Sequence, residues 1–587
     1  MKTKKILASV GVLTGAALAL VACGNKSNTK DNSGSKEAEK FPAKTPVKAV
    51  KKGGSINVAL ETDTPFTGIF EDGLSTSAID SSVSQFGDES LFAVTDSYTI
   101  TNDGAATFKL DRKAKTVTIT VKKGVKWSDG KQVVAKDLEY PYEVVANKDS
   151  GSQRYTGALA NIEGIAEYHS GKAKTISGLE MPDGENGRTL VIHFKKVTPG
   201  MTQSGNGYFL EYADPYHYLK DVPFSKLQSS DKVRKNPIFF GPYKLSKLVR
   251  GQSATWTPNK YYWRGQPNLD KITISVVSPN SATQAIKSHK FDIAEVVNAQ
   301  WKQVKNTKNV NFVARVPLSY SYLGFKVGKW DSKKGENVMD PNSKMGNKAL
   351  RQAIGYAMNI DQVQEHYTQG LTFRVNTLIP KQFTKYYNSD LKGFPYNLKK
   401  ANELLDKAGY KKKGTYRVQP NGKPLTIYLA AMSGRVNQEA IVQNYIQQWK
   451  KIGLNVKLTG GRLSEFNSFY DKVQNDAKGI DMFMAAWSLS SEPSPADLYS
   501  KEAPFNFERF VTAENTKLLN DIDSDKSFDN SFRVKTFKEW QKYMNDQAYV
   551  IPMTNSYEIS AVNSKLTGYS TKPSDSNQLW YKVGFAK

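Results

Sequence analysis

The 587-residue sequence has one cysteine, Cys23, and five histidines. A single thiol cannot close an internal disulfide or build a thiolate metal site, and once it is acylated no cysteine nucleophile is left. The histidines are His169, His193, His217, His289 and His366. None stands in an HExxH pair or near a Gly-x-Ser-x-Gly elbow, so the common signatures of zinc proteases and serine hydrolases are missing. Carboxylates are abundant, and counting alone does not exclude a glycosidase pair. No internal repeat stands out, which argues against a repeated adhesin. The lysines are scattered rather than set in one stripe with interleaved aromatics, which argues against nucleic acid as a partner.

What the chain does have begins at its start. Lys2, Lys4 and Lys5 precede an apolar run from Ile6 to Ala22. A basic start, an apolar segment and a small-residue cleavage site make an export signal over 1–22. The run is short for a membrane-spanning helix. Leu20-Val21-Ala22-Cys23 resembles a bacterial lipobox, in which the cysteine is acylated and becomes the new N-terminus. A thiol is nucleophilic enough to take a diacylglyceryl group, and two or more acyl chains hold a protein stably at a membrane. The expected place is therefore the outer face of the cell membrane, anchored through Cys23. Residues 23–52 are rich in Lys, Ser, Asn and Pro and have little to bury, so they read as a flexible tether.

The formal charge is +26; losing the three signal lysines takes it to +23. Such a charge suits an anionic lipid or cell-wall surface, and more simply solubility beside one. Aromatic residues make up 11% of the chain, with 30 Tyr and 9 Trp. They can fill a core or line an adaptable binding surface. At this length the chain can build its own core without disulfides, in two to four domains.

Apolar alternation predicts strands at 54–60, 97–101, 107–110, 116–122, 190–194, 254–257, 271–277, 311–316 and 319–326. Helical spacing appears over 135–144, and twice in 347–371, where Asn359 with Gln362 reads as a capping box. Asn397 is placed to cap a further helix, which Gly409 ends. Strands follow at 425–430 and 454–458, around a helix at 439–451. The nearly continuous apolar run 481–487 reads as a buried strand. A last long helix over 530–546 precedes strands at 550–553 and 558–562. The sum is mixed α/β in at least two lobes.

Several of these blocks fall in a familiar order. Trp127-Ser128-Asp129-Gly130 followed by Ala135-Lys136-Asp137 resembles the WSDG…AxD signature of family-5 solute-binding proteins, the peptide-binding receptors of ABC importers. The likeness continues through Gly241-Pro242-Tyr243, residues 259–263, Arg351-Gln352-Ala353, residues 396–409, residues 480–487 and Ile551-Pro552, and it covers nearly the whole mature chain. With the lipobox, the chain is most similar to the lipid-anchored oligopeptide receptors of Gram-positive bacteria. The resemblance implies a two-lobed, periplasmic-binding-protein-like α/β clamshell of cluster C type, with an extra β-rich domain inserted in the first lobe. Lobe 1 would comprise 53–97, 236–325 and a return at 556–587; domain II 98–235; lobe 2 326–555. Trp127 would pack under a turn in which Asp129 bonds its own backbone. Arg351 would pair with a carboxylate or cap carbonyls within its lobe.

In that family an extended peptide pairs its main chain with short receptor strands, while its side chains occupy roomy, wet pockets. Carried over by position, the main pairing segment is Trp487, Ser488, Leu489, Ser490 and Ser491, with Trp487 offering a broad face to a side chain. A second is Met432, Ser433 and Gly434, and a third Phe66, Thr67, Gly68 and Ile69. Short-peptide receptors carry an aspartate three residues after the tryptophan, for the peptide amine; here it is Ser490, and Glu492 is the nearest substitute. Some relatives carry an arginine three residues before it, for a carboxylate; here it is Met484. Loosely held peptide ends, and hence variable peptide length, are the expectation. The implied partners are oligopeptides and an ABC permease with its ATPase subunits, the receptor being a monomer with no cofactor, no metal and no catalytic residue. Alternatives are a family-5 receptor for a signalling peptide, haem, nickel or an oligosaccharide, an exported hydrolase, or an adhesive surface protein.

Overall fold

The computed structural model describes residues 41–587 apart from Asp63, Arg435 and Val436. The signal segment 1–22, the acylation site Cys23 and the tether as far as residue 40 lie outside the described residues.

The first alternating run becomes strand β1 (Ser55–Glu61), with Ile56 and Val58 turned into the core. It lies within a seven-stranded sheet in the order Val310–Arg315, Glu558–Asn563, Ile293–Glu295, β1, Lys271–Val277, Ser253–Pro258 and, at the far edge, β2 (Tyr243–Val249). β1 is parallel to both neighbours. The two strands at the opposite edge from β2 lead to and from the second lobe, and Arg315 faces Glu558 in their register.

The second lobe holds a six-stranded sheet whose central strands are β3 (Ser319–Phe325), β4 (Thr426–Ala431) and β5 (Met482–Ser488). Its order is Thr372–Arg374, Val550–Ser556, β3, β5, β4 and Asn455–Leu458. The apolar run at 481–487 is indeed a buried strand: Met482 and Phe483 are fully covered between β3 and β4. Helices begin at Asn359 and Asn397, as their caps predict, and a third begins at Asn347, a cap not singled out from the sequence. Asn347 accepts from the Ala349 and Leu350 amides, Asn359 from Gln362, and Asn397 from Lys400. Gly409 ends its helix at φ 82°, a conformation that favours glycine. Arg351 caps carbonyls, those of Met345, Gly346 and Gln547, the second of the two roles expected of it.

Between the two passages of lobe 1 sits a four-stranded sheet, Ala106–Asp111, Thr116–Val121, Thr189–His193 and Leu179–Glu180. The helix Ala135–Ala146 packs against it. Trp127 is buried, and its indole N–H donates to Asp137 Oδ2 at 2.8 Å. That carboxylate also accepts from the Val134 and Tyr216 amides. Asp129 Oδ1 accepts from the Lys131 amide at 3.0 Å, the local turn expected of it.

The flexible reading of the tether gives way from residue 41 onward. Val50–Lys51 pairs with Gly584–Ala586, the Thr45 amide donates to Tyr569 O at 2.9 Å, and Phe41 packs edge-on against Trp301. Low apolar content hid this strap, because main-chain pairing to an open strand edge needs few apolar side chains. Amphipathic reading also passed over the hairpin of Gly328–Asp331 and Glu336–Met339 and the helices Phe466–Gln474 and Ala513–Ile522.

Candidate functional site

The site begins as a fork between two parallel strands. β4 and β5 pair through Leu429 with Met482, Ala430 with Phe483 and Ala431 with Met484, and there the pairing stops. Beyond it, Met432 bridges to Ser464, and the Ser433 amide donates to Ser464 O at 2.8 Å. β5 runs on to Ser488 with β3 on one side only. Peptide groups in an antiparallel pair alternate between the two edges. Leu489 N donates to Leu318 O and Lys326 N to Asp481 O, so the odd-numbered positions of β5 turn toward β3. The even-numbered Ala486 and Ser488 turn the other way, where β4 has left. Tyr470 reaches that edge: its Oη donates to Ala486 O at 3.1 Å. The opening lies at the carboxyl ends of parallel strands, the usual place for a ligand crevice in an open α/β sheet.

Aromatic rings wall the fork. Trp487 stacks on Phe507 with centroids 5.3 Å apart and meets Phe505 edge-on at 5.6 Å. Phe466 packs on Tyr470, and Tyr470 lies beside Phe507. Phe505 and Phe466 are 47% and 58% exposed, an unusual state for so large an apolar side chain. The broad face expected of Trp487 is thus given to Phe507, and the accessible aromatic surface belongs to Phe505 and Phe466.

Two other expectations are corrected. Residues 67–69 have their amides committed: the Asp80 carboxylate accepts from Thr67 N (2.7 Å), Gly68 N (3.0 Å) and Ile69 N (3.2 Å). Arg234 Nη2 donates to Thr67 O at 2.5 Å. One carboxylate cradled by three successive amides takes the backbone donors of Thr67, Gly68 and Ile69 away from a guest strand. Glu492 is not available to an amine. Its Oε1 lies 2.7 Å from Arg533 Nη2, and Asp523 Oδ1 lies 3.5 Å from the same nitrogen. Burial pushes the Glu492 carboxyl up to about 7, with Arg533 opposing. Met484 is buried in the sheet, and Ser490 turns its hydroxyl to Glu492 O. Neither offers a charge to a peptide end.

Domain II abuts the same stretch. A Cβ built on Gly200 would lie 2.9 Å from the Glu492 carboxyl carbon, and one on Gly205 would lie 3.2 Å from Ser491 N. The Arg112 guanidinium sits 3.9 Å over the Phe528 ring. Two crossovers join the lobes side by side. Arg315 Nε is 2.7 Å from Glu558 Oε2, Gln382 Nε2 donates to the carbonyls of Val316 and Pro317, and Asn555 Nδ2 donates to Pro317 O. Sequence reasoning missed Asp80, Tyr470, Phe505 and Arg533, because each works through a contact remote in the chain. Only the exposed Phe466 and Phe505, flanked by polar residues, left a trace in the pattern. Among the described residues no group of three or more His, Cys, Asp or Glu could hold a metal ion.

Two α/β lobes on paired crossovers, with an open strand edge between aromatic walls, define a receptor that holds a solute rather than transforms one. The family model for bacterial extracellular solute-binding proteins, family 5 Middle, matches residues 99–508. The chain belongs to that family. It is 42% identical over 588 residues to the oligopeptide-binding protein OppA of Lactococcus lactis subsp. cremoris, a match covering 99% of this chain and 97% of that protein. Among solved structures it is similar to lactococcal OppA complexed with an endogenous peptide in the closed conformation, with a TM-score of 0.77 and 43% identity over 91% of this chain and 100% of that one. AppA of Bacillus subtilis, in complex with a nonapeptide, shares the fold at a TM-score of 0.67 and 22% identity, covering 92% of this chain and 100% of that one. The fold is the expected two-lobed clamshell, and the class is one of binding, not catalysis.

Proposed function

We propose that this protein captures oligopeptides in extended form and delivers them to an ABC permease, whose ATPase subunits supply the energy of transport. The observation that carries this reading is the open edge of β5: two peptide units, at Ala486 and Ser488, face a gap that no strand fills. A guest chain laid there adds a strand, and its backbone supplies the affinity whatever its side chains. The exposed Phe466 and Phe505 give apolar side chains of the guest a surface to cover. Ser490 and Met484 carry no charge and Glu492 is paired with Arg533, so none of these three clamps a peptide end, which favours cargo of variable length. The relatives named for oligopeptide binding support the same cargo. The receptor acts as a monomer at the outer face of the membrane, held by lipid on Cys23.

The test uses peptides and their backbone N-methylated counterparts. Titration calorimetry on the purified chain is expected to give a binding constant that falls at least tenfold when alternate amides are methylated. Equal affinity for both would remove main-chain pairing as the basis of capture. Cys23→Ala is expected to shift the protein from the membrane fraction to the medium.

A further inference from the structure

The far edge of lobe 1 carries a groove of about 580 Å³ between β2 and the segment 229–236, closed at one end by Thr67 and Gly68. Its charge is lopsided. Arg234, Lys235, Lys247 and Arg250 line it against a single acid, Asp231, which lies 2.9 Å from Lys235. Among the described residues neither Lys247 nor Arg250 meets a carboxylate. Arg234 is held in place by its bond to Thr67 O. Leu245 and Leu248 give the groove an apolar floor, and low-dielectric walls concentrate the field of cations set around them.

The groove reaches the end of lobe 1 from which the crossovers leave. Glu295, at the carboxyl end of a strand parallel to β1, pairs with Ser560, and Val296 N donates to Ile559 O just inside the crossover at 557–558. The crossovers therefore leave lobe 1 at the carboxyl ends of its parallel strands. β2 runs in the same direction as β1, since each is separated from the next by antiparallel pairing through Ser253–Pro258. Arg250, just past the end of β2, and Thr67, after β1, share that cleft-facing end. β2 is also the strand farthest from the crossovers, which puts the groove at the opposite edge of lobe 1 from the hinge.

Lysines on an open edge strand also deter edge-to-edge pairing. That role accounts for Lys244 and Lys247 on β2. It does not account for Arg234, brought from another element and fixed by a lobe 1 carbonyl, or for a recess between the two.

We infer that this groove is an anion-receiving subsite of the peptide receptor, which takes carboxylates of the cargo and so favours acidic peptides over neutral ones of equal length. The inference rests on the receptor reading above. Guanidinium and ammonium groups are the natural partners of a carboxylate, and an opposed pair in a cleft is stronger than one on a flat surface.

The experiment compares three peptides of one length and apolar content: neutral with an amidated C-terminus, the same with a free C-terminus, and one with two added glutamates. Binding to the full chain is read by calorimetry at 50 and 500 mM salt, for the native protein and for the pair Lys247→Gln with Arg250→Gln. The expected result is a preference of tenfold or more for the acidic peptide over the amidated one at low salt. That ratio should shrink at high salt and collapse toward one in the double variant. A ratio near one in the native protein, or one the substitutions leave alone, overturns the subsite while leaving the receptor standing. Inorganic phosphate that displaces acidic and neutral peptide alike would also overturn it. Failure of every peptide to bind would remove the receptor reading itself, and the subsite with it.

Discussion

Ala431 is the last residue of β4 to face β5, opposite Met484; one step later Met432 has crossed to Ser464. That divergence leaves the outward peptide groups of Ala486 and Ser488 without a strand partner, Tyr470 Oη taking only the Ala486 carbonyl. It also makes the edge testable without touching the core. Ser488→Pro deletes an N–H that no strand uses, so the fold should be unchanged by circular dichroism. Peptide affinity should fall by a factor of ten or more, a loss of about 1.4 kcal/mol or greater. An unchanged affinity would place the guest elsewhere.

Arg533 neutralises two buried carboxylates at once, Glu492 and Asp523. Arg533→Met strands both and is expected to cost about 3–5 kcal/mol, because an uncompensated buried charge is left behind. Urea denaturation measures this. Adding Glu492→Gln should recover part of the loss, while Glu492→Gln alone should cost less than Arg533→Met.

The close approach of domain II to lobe 2 requires the absence of a side chain at Gly200, where a Cβ meets the Glu492 carboxyl at 2.9 Å. Gly200→Val should lift the loop 198–208 from lobe 2. The expected readouts are a larger radius in small-angle scattering and faster proteolysis of that loop, at a stability cost of about 1–3 kcal/mol.

Glu71 and Asp214 sit together where lobe 1 meets domain II, lining a small enclosed cavity with Asp72, Asp88, Tyr212 and Lys232. Burial raises the Glu71 carboxyl to about 7 against the pull of the Gly73 amide, and raises Asp214 strongly, with the neighbouring carboxylates adding to it. Asp72 and Asp88 are raised as well, Asp72 with Arg154 opposing, and Asp137 faces Asp214. The folded protein thus holds protons that the unfolded chain gives up near 4.5. The stabilisation is complete below that pH and is lost as pH rises through 7. Melting of domain II should therefore be less favourable to the fold at pH 8 than at pH 5.5, by about 1–3 kcal/mol. Glu71→Gln should flatten that slope; a slope unchanged by the substitution would assign it elsewhere.

Much of the fold was legible because its signals are local. Alternation at 54–60, the asparagines Asn359 and Asn397 before two helices and the apolar run at 481–487 each report on their own neighbourhood. The site was legible in part for the same reason: a strand ending in a tryptophan and small residues can be read from a dozen positions. Its chemistry was not. That Asp80 would take the amides of 67–69, or that Arg533 would claim Glu492 across 41 residues, depends on which elements the fold brings together. The strap at 41–52 escaped because it is held by backbone pairing, which composition does not register.

That strap has a mechanical meaning. Both ends of the folded chain are laced into one jaw, the first by Val50 and Lys51 lying along Ala586 and Phe585. The segment that leads in from residue 41 therefore joins the fold at lobe 1, away from the crossovers at 315–319 and 556–558. Lobe 1 thus holds both ends of the described chain, while the lobe bearing Trp487 holds neither.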